Sequence, residues 1–197
     1  MGADRDNEVV IITGTGECWL ADVEASSFAQ PMSQWDGDLV VEQYNDGVKI
    51  LERLVFDVDV PTIAAINGPG PRLELLCDLT LCAPDVVFGD GNFRAGSVPG
   101  DGMFLALSEL AGPKRASHVV YTGQGIPAEE ARRLGIVNEV LPRADLMPRT
   151  LDLAAQIMAQ PRTARRLTHG IVSRGWQRRL VTELRDTYAR QLLGMTT

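Results

Sequence analysis

Residues Val60 to Gly102 constrain this chain more than any other part of it. Two short apolar runs, TIAAI (Thr62 to Ile66) and LLCDLTLCA (Leu75 to Ala83), flank a Pro/Gly loop that starts at Asn67. A second loop, GDGNFRAGSVPGDG, follows from Gly89 and carries Asp101. Apolar runs of this length without polar alternation read as strands buried on both faces. Proteins of the α/β class place their chemistry in the loops that leave such strands.

The flanking sequence supports that class. EVVIITG (Glu8 to Gly14) is a further buried-type strand closed by glycine. Leu39, Val40, Tyr44, Val48, Leu51 and Val55 have helical spacing and predict a helix within 36–57. Asp59-Val60-Pro61 ends that helix, and LELLC predicts a short helical turn before strand LTLCA. MFLALSELAG is a helix stopped by Gly112. Pro113 and Pro127 each open another, and Gly135 closes the second before strand IVNEVL. Three helices follow, at about 145–159, 161–174 and 176–193. The last carries Leu180, Leu184, Tyr188 and Leu192 as an apolar stripe suited to packing on a body or a partner. Alternation early and helices late predict an α/β core over residues 1–142 and a helical region over 143–197.

Composition narrows the setting. The 197 residues are 45% hydrophobic and 23% charged, which suits one soluble domain. No apolar run approaches a membrane span, and the N-terminus MGADRDNEVV is too polar and acidic for a signal or transit peptide. Cys18, Cys77 and Cys82 lack metal-like spacing and read as reduced thiols, so a cytoplasmic setting is expected. The net charge of −7 divides into −13 for residues 1–142 and +6 for the remainder. The basic tail reads as a solvated helix face, or as a surface for phosphates or an acidic neighbour. Its arginines are not interleaved with aromatics, so nucleic acid is not expected as a partner, and without a membrane-length apolar run no membrane is expected either.

Several segments together resemble the crotonase (enoyl-CoA hydratase/isomerase) superfamily: VVIITGTGECWLADVE, PTIAAINGP, CDLTLCAPDVVFG, SVPGDG and VYTGQGIPAEEARRLGIVNEVLP. NEVVIITGTG, AAINGP, VPGDG and GIVNEVLP place the likeness nearest the β-diketone (6-oxocamphor-type) hydrolase branch. The resemblance implies a crotonase-like ββα spiral core with a C-terminal helical trimerisation region, and hence a homotrimer or hexamer. The family has a further strand and helix before the position where this chain starts. An edge strand left bare by their absence would invite association.

The resemblance also implies a mechanism, in which two backbone N–H groups hold an enolate oxygen. Val23 is the first donor candidate, near Trp19, with Asp22 where the family has glycine. The second donor falls among Gly70, Arg72 and Leu73, since Pro69 and Pro71 have no N–H. The two glutamates of hydratases fall at Arg72 and Asn92, although Glu74 could slide towards the first position. The hydrolase histidine is missing from Asp90-Gly91-Asn92-Phe93-Arg94, while Asp101 matches the hydrolase aspartate.

Asp101, Glu74, Asn92 and Asp90 are therefore the candidate catalytic residues. Each has a simpler structural reading, as an N-cap, a helix-start carboxylate or turn residues. His118 is expected to pack within its helix and His169 to be a solvated tail residue. The implied function is C–C bond hydrolysis of a β-diketone-type ketone. Alternatives are an acyl-CoA hydratase or isomerase using Asp101 and Glu74, and a crotonase-fold binding protein without turnover. No cofactor is implied, and a coenzyme A thioester would enter only as substrate.

Overall fold

A computed structural model describes residues 4–16, 19, 34–69 and 74–195. Its strands are β1 (Val10–Thr13), β2 (Thr62–Ile66), β3 (Leu79–Cys82), β4 (Val87–Phe88), β5 (Ile126–Pro127) and β6 (Glu139–Val140). Its helices are α1 (Gly37–Glu52), α2 (Met103–Ala111), α3 (Pro113–Thr122), α4 (Ala128–Leu134), α5 (Arg143–Met158), α6 (Arg162–Val172), α7 (Arg174–Arg179) and α8 (Arg185–Met195). Among the described residues, β1-β2-β3-β6 form a parallel sheet and β4-β5 an antiparallel ribbon.

The continuous apolar runs have the expected cause, because both faces of the sheet are covered. Ala64 and Ile66 join a core with Phe88, Leu107, Val119 and Ile126. Ile63, Ala65 and Leu81 point the other way, towards Leu146 and Ala154 of α5. Strand periodicity thus sorts one sequence run into two cores.

Local signals set most boundaries. Asp36 caps α1, its carboxylate accepting from the Leu39 amide at 2.8 Å. Gly123 and Gly135 end α3 and α4 in the left-handed conformation, at φ 68° and 79°. The predicted strand IVNEVL contracts to Glu139–Val140. Beside it the Asn138 side chain accepts from the Thr80 amide at 2.7 Å, replacing a ladder bond. The β4–β5 ribbon was not expected, since two residues per strand show no period.

The C-terminal helices pack on the chain's own body. α7, a π-helical turn (Leu180–Leu184) and α8 follow one another directly. Leu180 and Leu184 are fully buried against Val48, Leu51 and Val55, and Tyr44 and Tyr188 pack alongside. Burial of each leucine contributes roughly 1.5–3 kcal/mol. Among the described residues, no helix is long and apolar enough to cross a membrane.

Two histidine expectations are corrected. His118 is exposed, because Val119 and Val120 supply the buried face of α3. His169 is 6% exposed rather than solvated, its ring fitted between Asp78 and the Val58 carbonyl. Cys77 and Cys82 are free thiols within the core. Burial first, then nearby carboxylates, pushes both up to about 12, so they are poor nucleophiles at neutral pH.

Candidate active site

The site is built where β1 and β2 end. The side-chain Nδ2 of Asn67, one residue past β2, donates to the carbonyls of Gly14 and Gly16 at 3.2 and 2.6 Å. Those two bonds hold the loop after β1 against the loop after β2. Farther along, the Trp19 amide donates to the Pro69 carbonyl at 3.3 Å. The asparagine of the Asn67-Gly68 landmark therefore acts as a staple between loops.

Glu74 opens a short 3-10 turn (Glu74–Leu76) and is only 1% exposed. Its carbonyl accepts from the Cys77 amide and the Thr80 hydroxyl, which ties the turn to β3. Asp101 comes from the opposite side, in the loop before α2. Gly102, not Asp101, is the N-cap of that helix. Asp101 stands one residue earlier, its Oδ1 accepting from the Met103 amide at 3.3 Å.

These elements enclose a cavity of about 620 Å³ whose walls include Trp19, Leu54, Glu74, Asp101, Gly47 and Tyr188. That volume suits a small organic ligand. The expected pair, Glu74 and Asp101, is brought to one hollow from two loops on different elements. Trp19 contributes an aromatic wall.

The remaining catalytic candidates stand behind Asp101. Asn92 Nδ2 donates to Asp101 Oδ2 at 3.0 Å, and Gln191 Nε2 donates to Asn92 Oδ1 at 3.3 Å. Asp90 is buried, and its Oδ1 accepts the Asn92 amide at 2.9 Å. The geometry is a relay of orientation: Asp90 and Gln191 fix Asn92, and Asn92 fixes the Asp101 carboxylate. Val23, Gly70, Arg72 and Leu73, the oxyanion and substrate-binding candidates, lie outside the described residues.

Sequence reasoning missed Tyr188 and Gln191. Both sit on α8, far from the motifs, and a helical stripe does not show what its polar tips reach. Burial, then the negative charge of Asp101, raises the Tyr188 phenol above its ordinary value, so it keeps its proton.

A second hollow, of about 400 Å³, lies beside Asp78, Arg165 and His169. Those groups already bind one another or the backbone around them, so this hollow carries no comparable chemistry. Among the described residues, no cluster of His, Cys, Asp and Glu could hold a metal ion.

A parallel core that closes on a carboxylate-lined cavity, backed by a C-terminal helical layer, defines a crotonase-fold protein. The chain belongs to the enoyl-CoA hydratase/isomerase family, whose pattern matches residues 1–193. It is similar to a β-diketone hydrolase from Anabaena sp. PCC 7120 solved with (S)-3-oxocyclohexyl acetic acid. There the TM-score is 0.91 and the identity 30%, covering 99% of this chain and 78% of that one. An enoyl-CoA hydratase/isomerase from Mycobacterium paratuberculosis superposes with TM-score 0.88 at 25% identity, over 98% of this chain and 78% of that one. A crotonyl-CoA hydratase from Syntrophomonas wolfei is 32% identical over 174 residues, which is 86% of this chain. The match spans 65% of that relative's length.

Proposed function

We propose that this chain hydrolyses a C–C bond of a β-diketone-type ketone. The observation that carries the proposal is the single cavity that joins Asp101, Glu74 and Trp19. Its support is the likeness of nearly the whole chain to a β-diketone hydrolase. In this reaction Asp101, oriented by Asn92 and the Met103 amide, takes a proton from water as the water oxygen adds to one carbonyl carbon. The C–C bond then breaks, its electron pair leaving as the enolate of the second ketone. Asp101 returns the proton to the α-carbon, so one water is consumed and a keto acid is formed. The resemblance assigns the enolate oxygen to the Val23 N–H and to a donor among Gly70, Arg72 and Leu73. Trp19 lies against the apolar part of the ligand.

One observation favours a second reading. Glu74 and Asp101 line the same cavity, which provides the paired carboxylates that water addition to an enoyl thioester requires. The hydratase relatives point the same way. Here coenzyme A enters as part of the substrate. A homotrimer or hexamer belongs to both readings and is measured by sedimentation.

Turnover of cyclic β-diketones and of crotonyl-CoA separates the two readings. Product from the diketone, with roughly a 10²–10⁴-fold lower kcat in Asp101→Asn, is the expected result. Product from crotonyl-CoA alone, lost in both Asp101→Asn and Glu74→Gln, establishes the hydratase reading instead. Binding of (S)-3-oxocyclohexyl acetic acid without turnover of either substrate identifies a binding protein.

A further inference from the structure

The cavity has more than its two carboxylates. α8 delivers three side chains to the Asp101 loop. The Thr187 hydroxyl donates to the Gly100 carbonyl at 3.4 Å, Gln191 reaches Asn92, and Tyr188 enters the cavity wall itself. The Tyr188 ring is set by Tyr44, with centroids 6.2 Å apart at 58°. Its tip lies over Gly47 of α1, where a Cβ would stand 2.0 Å from Oη and 2.1 Å from Cζ. Glycine inside a helix costs about 1 kcal/mol relative to alanine. At this position the missing side chain is what lets the tyrosine tip reach the cavity.

The walls then divide by hydrogen-bonding type. Glu74 and Asp101 are carboxyl groups, and the Thr13 hydroxyl donates to the Ala65 carbonyl at 2.8 Å. The side-chain donors left among the described walls are the Trp19 indole and the Tyr188 phenol. The phenol stands beside Asp101, and burial next to that carboxylate keeps it protonated at neutral pH.

We propose that Tyr188 is a specificity-determining residue of this site, its hydroxyl donating a third hydrogen bond to the ketone oxygen that the two N–H groups assigned above also hold. It selects ligands that bear a carbonyl oxygen beside the carbon at which Asp101 works, and rejects analogues reduced to a methylene there. This inference rests on the cavity being the ligand site proposed above.

The test compares two probes on the full chain. Binding of (S)-3-oxocyclohexyl acetic acid and of cyclohexylacetic acid, which lacks only the ketone oxygen, is measured by calorimetry for wild type and Tyr188→Phe. Circular dichroism melting of both proteins checks that the fold is kept. Tyr188→Phe is expected to weaken the keto acid about tenfold, the scale of one neutral hydrogen bond, and to leave cyclohexylacetic acid unchanged. An equal loss for both probes, or no loss for either, overturns the proposal, as does failure of the wild type to bind the keto acid. Failure of the functional reading looks different: the wild type then binds the keto acid and discriminates through Tyr188, yet turns over no β-diketone.

Discussion

Both ring nitrogens of His169 face oxygen acceptors, Nδ1 with Asp78 Oδ2 at 2.8 Å and Nε2 with the Val58 carbonyl at 3.0 Å. Only the imidazolium donates to both. The same Asp78 oxygen accepts from the Thr62 amide and hydroxyl, which ties the start of β2 to α6 through one carboxylate. Burial opposes charge on the ring, but Asp78, with lesser help from the Val58 carbonyl and Asp59, outweighs it, and the pKa is raised. A raised folded pKa adds stability that is fully present below the unfolded value of about 6.5 and is lost as pH climbs through the folded value. Wild type should therefore exceed His169→Gln in Tm by more at pH 6 than at pH 8.5. A gap that is constant, or that widens at high pH, would show that the ring is held neutral.

α8 acts on the site through very close packing, and Gly100 marks the closest approach. A Cβ on Gly100 would stand 2.1 Å from the Thr187 carbonyl oxygen, part of a helix backbone that cannot turn aside. Gly100→Ala should destabilise the protein by about 1–3 kcal/mol in urea unfolding, as overpacking does. If Asp101 works as proposed, the substitution should also lower the turnover rate by shifting the neighbouring loop. Gly37→Ala, with nothing within 4 Å of its Cβ, is the control and should change little. Sequence legibility at this scale followed the range of the physics involved. β2 and β3 were legible because burial on both faces leaves an unbroken apolar run. The limits of α3 and α4 were legible because proline and glycine act locally. The place of Asp101 on the cavity wall could be anticipated because its loop is a compact motif. Tyr188 could not, since its 3.6-residue period places it with Leu180 and Leu184 but says nothing of Gly47 or of the carboxylate at its tip. His169 was misread for the same reason, as Asp78 lies far away in sequence. The β4–β5 ribbon is simply too short to carry a period.

Charge organises the whole molecule. The +6 balance after residue 142 faces the −13 balance before it within one chain. Arg143 pairs with Asp85, Arg149 with Glu139, Arg179 with Glu109 and Arg185 with Glu52, so arginines of the helical layer meet acids of the α/β core. This contact with its own core accounts for much of the basic tail without a phosphate ligand. A further group joins the N-terminal segment and Asp59 to α6. Arg162 and Arg165 pair with Glu8, and Arg166 pairs with Asp59 and donates to the carbonyls of Arg5 and Asn7. Exposed ion pairs contribute little, because solvent and salt screen them. Arg165 differs, with a side chain 8% exposed that also donates to the Met158 carbonyl at 2.7 Å and to that of Gln160. Arg165→Ala should cost about 1.5–3 kcal/mol, the range for hydrogen bonds to a charged group. Arg190→Ala removes a pair with Asp186 whose side chains are 68% and 65% exposed, and it should leave the unfolding midpoint unchanged. Proteolysis supplies a second readout, since Arg165→Ala should speed cleavage near Arg5 and Arg190→Ala should not. Equal effects of the two variants on both readouts would mean that net charge, rather than this clamp, holds the N-terminal segment against α6.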